Sequence, residues 1–141
     1  MQYEYADSDR SPKLEATDGK TTAIVTTTDA RYLPAACCQL VSTANHLTNE
    51  DKARLFLVAC DVTDDDVRDA KAFFSRRNIP VEIVLPGFLD RMLRPLEHTR
   101  WPRAAYLRLY FDWIFDSSWS RILYLDSDTR VCTSLNPLLG A

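Results

Sequence analysis

Glycine is scarce. The 141 residues include only three, Gly19, Gly87 and Gly140. They are too scattered for G-x-G-x-x-G or G-x-x-x-x-G-K, which excludes a glycine-rich phosphate cradle. No apolar run approaches the roughly 20 residues that a membrane-spanning helix needs. The start, Met1-Gln2-Tyr3-Glu4-Tyr5-Ala6-Asp7, lacks the basic and apolar regions of a secretion signal, so a cytoplasmic protein with no transmembrane segment is expected. Neither sign of charge dominates: the formal net charge is -3, which gives no general affinity for nucleic acid or anionic membrane. Cysteine occurs at Cys37, Cys38, Cys60 and Cys132, with no C-x-x-C spacing and one adjacent pair that suits a disulfide poorly, so zinc and redox roles are weakly supported. All four read as small buried hydrophobes. The two histidines, His46 and His98, stand apart from any metal-ligand motif and read as structural. No arrangement for Ser or Cys nucleophilic catalysis is present.

What remains is ordinary globular composition, 46% hydrophobic and 26% charged, in a length that suits one domain with a real core. Residues 1 to 20 are polar and aperiodic and are expected to form a disordered lead-in, leaving 21–141 as the domain. Thr22 to Thr27 is rich in β-branched residues and predicts a first strand. Leu33, Ala36, Cys37, Leu40, Val41, Ala44 and Leu47 form a helical stripe with Pro34 in its first turn. Leu55 to Cys60 is a continuous apolar run, hence a buried strand. Thr63-x-x-Asp66 is a capping box that opens a helix with Val67, Ala70, Phe73 and Phe74 inward. Val81 to Leu85 predicts a third strand, stopped by Pro86-Gly87. Residues 86–102 read as a connection or short helix, and a further helix is expected from Arg103 to about Phe115. Strand alternating with helix is the pattern of a mainly parallel α/β sheet.

Arg121-Ile122-Leu123-Tyr124-Leu125-Asp126-Ser127-Asp128 concentrates the chemistry. Its apolar run predicts a strand covered on both faces, and the side-chain period of two would turn Asp126 and Asp128 the same way. Two carboxylates at the carboxyl end of a buried strand suit a hard cation such as Mg²⁺ or Mn²⁺, at the edge where open parallel sheets bind ligands. A solvated turn is the alternative. Thr129 to Cys132 is expected to continue extended. Two other acidic clusters, Asp7-Ser8-Asp9 and Asp64-Asp65-Asp66, read as solvated lead-in and as a favourably charged helix start.

Asp29 and Tyr32 follow the first strand and so can share that edge. Asp29 either accepts hydrogen bonds from a nucleoside or caps the helix; Tyr32 either stacks on a base or packs. Arg108 falls inside the apolar stripe of its helix, so a buried role with Asp126, Asp128 or a diphosphate is favoured over a surface pair with Asp112.

Three segments, Thr26-Thr27-Thr28-Asp29-Ala30-Arg31-Tyr32-Leu33, Ala105-Tyr106-Leu107-Arg108-Leu109 and Ile122-Leu123-Tyr124-Leu125-Asp126-Ser127-Asp128, together resemble glycosyltransferase family 8 in order and spacing, over roughly residues 22–141. This family contains the lipopolysaccharide galactosyl- and glucosyltransferases and the glycogenin-like enzymes. The resemblance implies a GT-A (Rossmann-like) fold, a UDP-sugar donor, a Mn²⁺ (or Mg²⁺) ion, a glycan or lipopolysaccharide-type acceptor, and transfer with retention. It implies metal ligation by Asp126 and Asp128, and nucleotide-sugar contacts from Thr28, Asp29, Tyr32, Arg108, Asp126 and Ser127. The family often has a small polar residue where Arg31 stands. Its third metal ligand, a histidine, and its acceptor region lie well beyond the D-x-D, whereas Ala141 lies 13 residues beyond Asp128. The catalytic residues are therefore expected outside this sequence, which reads as the nucleotide-binding part of a GT-A domain truncated after the D-x-D strand. Two alternatives stand beside it: a catalytically incomplete nucleotide-binding or interaction domain, and a phosphatase of the haloacid dehalogenase type, which needs Thr where Arg130 stands.

Overall fold

The computed structural model describes residues 12–96 and 98–140. The acidic cluster Asp7-Ser8-Asp9 lies outside the described residues. Four parallel strands, β1 (Thr22–Thr28), β2 (Ala53–Ala59), β3 (Val81–Val84) and β4 (Arg121–Tyr124), form one sheet in the order β3-β2-β1-β4. Because every pairing is parallel, the carboxyl ends of all four strands meet at one edge.

β1 is central and buried throughout, and its alternation builds a core on each face. Ile24 joins Leu55, Leu57, Ala36, Leu40, Ala70 and Phe74 beneath α1 (Leu33–Ala44) and α2 (Asp64–Arg76). Ala23 and Val25 join Phe56, Val58, Leu89, Leu93, Leu107 and Ile114 on the opposite face. That second layer comprises α3 (Gly87–Leu93), α4 (Arg103–Tyr106) and α5 (Phe111–Ile114), and α6 (Asn136–Leu139) closes the described chain. Each fully buried large apolar side chain contributes roughly 1.5–3 kcal/mol relative to exposure, so the doubly covered strands β1 and β2 anchor the molecule.

Local signals act as expected at α2. Thr63 Oγ1 accepts from the Asp66 amide at 3.1 Å, and Asp66 Oδ2 accepts from the Thr63 amide at 2.9 Å. Asp64, Asp65 and Asp66 occupy the first turn, where the helix dipole favours negative charge.

Elsewhere the structure corrects the sequence reading. Residues 14–16, expected within the disordered lead-in, are tied to the fold. Leu14 exchanges backbone hydrogen bonds with Ile114 and Asp116, and its carbonyl accepts from Trp119 Nε1 at 2.9 Å. β4 is less covered than expected: among the described residues it is an edge strand, none of its residues is fully buried, and Ile122 is 37% exposed. The chain turns at residues 127–128 immediately after β4, and Thr129 to Cys132 lies in no helix or strand. The helix expected over 103–115 is broken into α4, a 3₁₀ stretch (Leu107–Tyr110) and α5. Finally, Cys37 and Cys60 are buried as expected, whereas Cys38 and Cys132 are exposed.

Candidate donor-binding cleft

At the carboxyl edge of the sheet, an open cleft of about 370 Å³ lies between the ends of β1 and β4 and the start of α4. It gathers Thr28, Asp29, Tyr32, Arg108, Asp126, Ser127 and Asp128. These residues come from three separate parts of the chain, and they are the full set that the sequence singles out. A larger depression at the opposite end of the strands, lined by Lys20, Leu47, Arg54 and Glu82 among others, contains none of them.

β4 pairs with β1 so that Tyr124 lies level with Val25, and Leu125 continues the ladder by donating to the Val25 carbonyl at 3.0 Å. The Tyr124 hydroxyl consequently reaches the carboxyl end of β1, 3.4 Å from Thr27 Oγ1, and donates to Asp126 Oδ1 at 2.6 Å. Burial first, then the hydrogen bond to Asp126, push the Tyr124 hydroxyl above its ordinary range. At neutral pH the phenol keeps its proton and acts as the donor in this contact.

The two aspartates do not share a side by strand periodicity. The Thr129 amide and Oγ1 both donate to the Asp126 carbonyl, at 3.1 and 2.6 Å. This makes residues 126–129 a turn, and the turn brings Asp128 to the cleft. Both carboxylates are exposed.

Arg108 needs the largest correction. It is exposed instead of buried, although its partner, Asp126 Oδ1 at 3.9 Å, is among those favoured over Asp112. A 3₁₀ turn advances about 120° per residue against about 100° in an α-helix, so the stripe drifts and Arg108 swings out of it. Its guanidinium lies 5.5 Å from the centre of the Tyr124 ring.

Across the cleft, Asp29 Oδ1 accepts from the Tyr32 amide at 3.1 Å, and Thr28 Oγ1 donates to the Asp29 carbonyl at 2.8 Å. Asp29 thus braces the entry to α1. Tyr32 is 40% exposed, with the Arg31 guanidinium 5.5 Å from its ring centre, so part of the residue stays open to solvent at the cleft.

The sequence reading missed Tyr124 and Trp101 as cleft residues. Tyr124 shares the strand parity of Asp126, and that i, i+2 relationship was the available signal. Trp101 is 60% exposed at the mouth of the cleft; a lone tryptophan beside a proline, outside any apolar stripe, was the sign.

Asp126 and Asp128 offer hard oxygen donors, the type that Mg²⁺ and Mn²⁺ prefer. Among the described residues no three His, Cys, Asp or Glu side chains converge. Two carboxylates nonetheless fit a cation of this kind, which commonly takes one or two from protein and the rest from phosphate and water.

The same architecture occurs in solved glycosyltransferases. The bifunctional glycosyltransferase WbbM, in its apo structure, superposes with a TM-score of 0.67 at 18% identity, over 92% of this chain and 22% of that one. The galactosyltransferase LgtC, solved with donor and acceptor sugar analogues, gives 0.63 at 22% identity, over 82% and 41%. Mouse xyloside xylosyltransferase 1, apo form, gives 0.57 at 17% identity, over 84% and 46%. The chain therefore spans less than half the length of each. No curated protein matches at a significant level. A parallel sheet between helical layers, shared with these enzymes, defines a GT-A-type fold.

Within that class the sequence is specific: residues 23–141 match the model of glycosyl transferase family 8, and the chain belongs to that family. The phosphatase alternative is set aside by this assignment. Among the described residues no helix is long and apolar enough to cross a membrane.

Proposed function

We propose that this chain forms the UDP-sugar-binding part of a retaining hexosyltransferase that acts on a glycan or lipopolysaccharide-type acceptor. The observation that carries the reading is the convergence of Thr28, Asp29, Tyr32, Arg108, Asp126, Ser127 and Asp128 on one cleft. Tyr32 presents its ring to the uracil, and Asp29 accepts hydrogen bonds from the nucleoside. Thr28 and Ser127 line the path of the donor. Arg108, paired with Asp126 in the absence of ligand, donates to the diphosphate. Asp126 and Asp128 hold Mn²⁺ or Mg²⁺, with Tyr124 fixing one Asp126 oxygen. When bound, the cation acts as a Lewis acid toward the departing nucleoside diphosphate.

Thermal unfolding with UDP, with and without Mn²⁺, tests this reading. Wild type gains stability in a metal-dependent way, about 2.7 kcal/mol at a hundredfold excess over Kd, and Asp126→Asn loses that gain. Absence of any UDP response in wild type would leave the chain as an interaction domain only.

A further inference from the structure

Behind the turn that carries Asp126 and Asp128 lies a second groove of about 440 Å³, bounded by α1, the end of α2 and residues 129–131. It shares no lining residue with the donor cleft. His46, Arg77 and Arg130 line it, and no carboxylate does. In a chain of net charge -3, this is a local reversal of sign.

The groove is preformed. Arg77 Nη1 donates to the Phe73 carbonyl at 3.0 Å, and its guanidinium lies 3.7 Å from the centre of the Phe73 ring. A guanidinium already stacked and tethered loses little further freedom when it binds an anion. His46 Nδ1 lies 2.8 Å from the Ser42 carbonyl. Since a carbonyl can only accept, Nδ1 carries a proton and the ring orientation is fixed. The opposite wall is anchored too: the Val131 amide donates to Ser42 Oγ at 3.0 Å, and Thr129 is clasped to the Asp126 carbonyl. Arg130 is exposed on that wall.

We propose that this groove binds a small phosphate-bearing molecule, with Arg77 and Arg130 gripping the phosphate from opposite walls. Two guanidiniums match the geometry of a phosphate better than that of a point anion. The volume exceeds what a bare ion needs and lies within the range of small-molecule sites. Phe73 and Val41 supply apolar wall for the body of the ligand, while Asn45 and His46 supply polar contacts to its hydroxyls.

The test is a titration of ¹⁵N-labelled protein with glucose 6-phosphate, with glucose as control, at constant ionic strength. Glucose 6-phosphate is expected to shift the Ser42, Thr129 and Val131 amides saturably, and glucose is not. Arg77→Gln and Arg130→Gln should each weaken binding about tenfold or more, since a charge-assisted hydrogen bond is worth that much. Both side chains are exposed, and an unchanged unfolding temperature will show that the variants fold. Asp126→Asn should retain the glucose 6-phosphate response, which separates this site from the donor cleft whether or not UDP binds there. The proposal is overturned by any of three results: no saturable response, equal binding in the Arg77→Gln/Arg130→Gln double variant, or loss of the response in Asp126→Asn.

Discussion

The Tyr124 hydroxyl holds Asp126 Oδ1 at 2.6 Å, so one oxygen of the carboxylate pair is positioned before any ligand arrives. Arg108 approaches the same oxygen at 3.9 Å. The site is thus a small charge network at rest: phenol, carboxylate and guanidinium share one atom. On the proposed reading, a cation and its diphosphate would enter by drawing Arg108 from the carboxylate toward phosphate.

Tyr124→Phe is expected to keep the fold and to weaken Mn²⁺ affinity in the presence of UDP by about 10–100-fold, the range for removing a hydrogen bond to a metal ligand. UDP binding without metal should be unchanged. Titration of free Mn²⁺ by electron paramagnetic resonance reads this directly. A Mn²⁺ affinity equal to wild type would show that Asp126 needs no such support.

Tyr32→Ala is expected to cost about 1–3 kcal/mol of UDP affinity, the usual loss on removing an aromatic base-stacking face. Calorimetry with UDP and with pyrophosphate, both with Mn²⁺, distinguishes the roles. Pyrophosphate affinity should stay constant, and an equal loss for both ligands would argue against base stacking.

The thiols are expected to separate into two classes. Cys38 and Cys132 should react with Ellman's reagent in the native protein, and Cys37 and Cys60 only after unfolding, in line with their burial. Burial first, then the neighbouring Cys38, raise the Cys37 thiol to about 11 from an ordinary 9.0, against an opposing effect of Arg77. Because the folded value lies above the unfolded one, the stability from a protonated Cys37 is complete below pH 9 and falls as pH rises toward 11. Cys37→Ala should flatten that part of a stability-versus-pH curve.

Phe56→Ala is expected to destabilise by about 3–5 kcal/mol. Phe56 is fully buried and sits edge-on to Phe115 at 5.0 Å and Trp119 at 5.4 Å. Urea unfolding measures the loss, and a cost below 1 kcal/mol would overturn the reading of Phe56 as a buried anchor of this cluster.

The core of this fold is written plainly in the sequence. Ile24, Leu40, Leu57 and Phe74 fall where strand and helix periods place them, and Thr63 with Asp66 announces α2 by local chemistry alone. The cleft residues were readable because motifs at strand ends converge on one edge of a parallel sheet. Arg108 was misjudged because its position depends on a change of helical pitch among bulky aromatics, Tyr106, Tyr110 and Phe111, which tertiary packing imposes. β4 was misjudged because an apolar run shows that a strand is buried somewhere, not which neighbours cover it. The second groove was unreadable, since His46, Arg77 and Arg130 come together only through the packing of α1, α2 and the turn after Asp128.

The open side of β4 carries a practical consequence. Among the described residues no strand pairs with it beyond β1, and Ile122 is partly exposed there. A strand edge open beside a partly exposed apolar side chain is a template for pairing with another copy. Ile122→Lys, which sets a charge on this strand, is therefore expected to suppress any concentration-dependent self-association, read by sedimentation velocity at several protein concentrations.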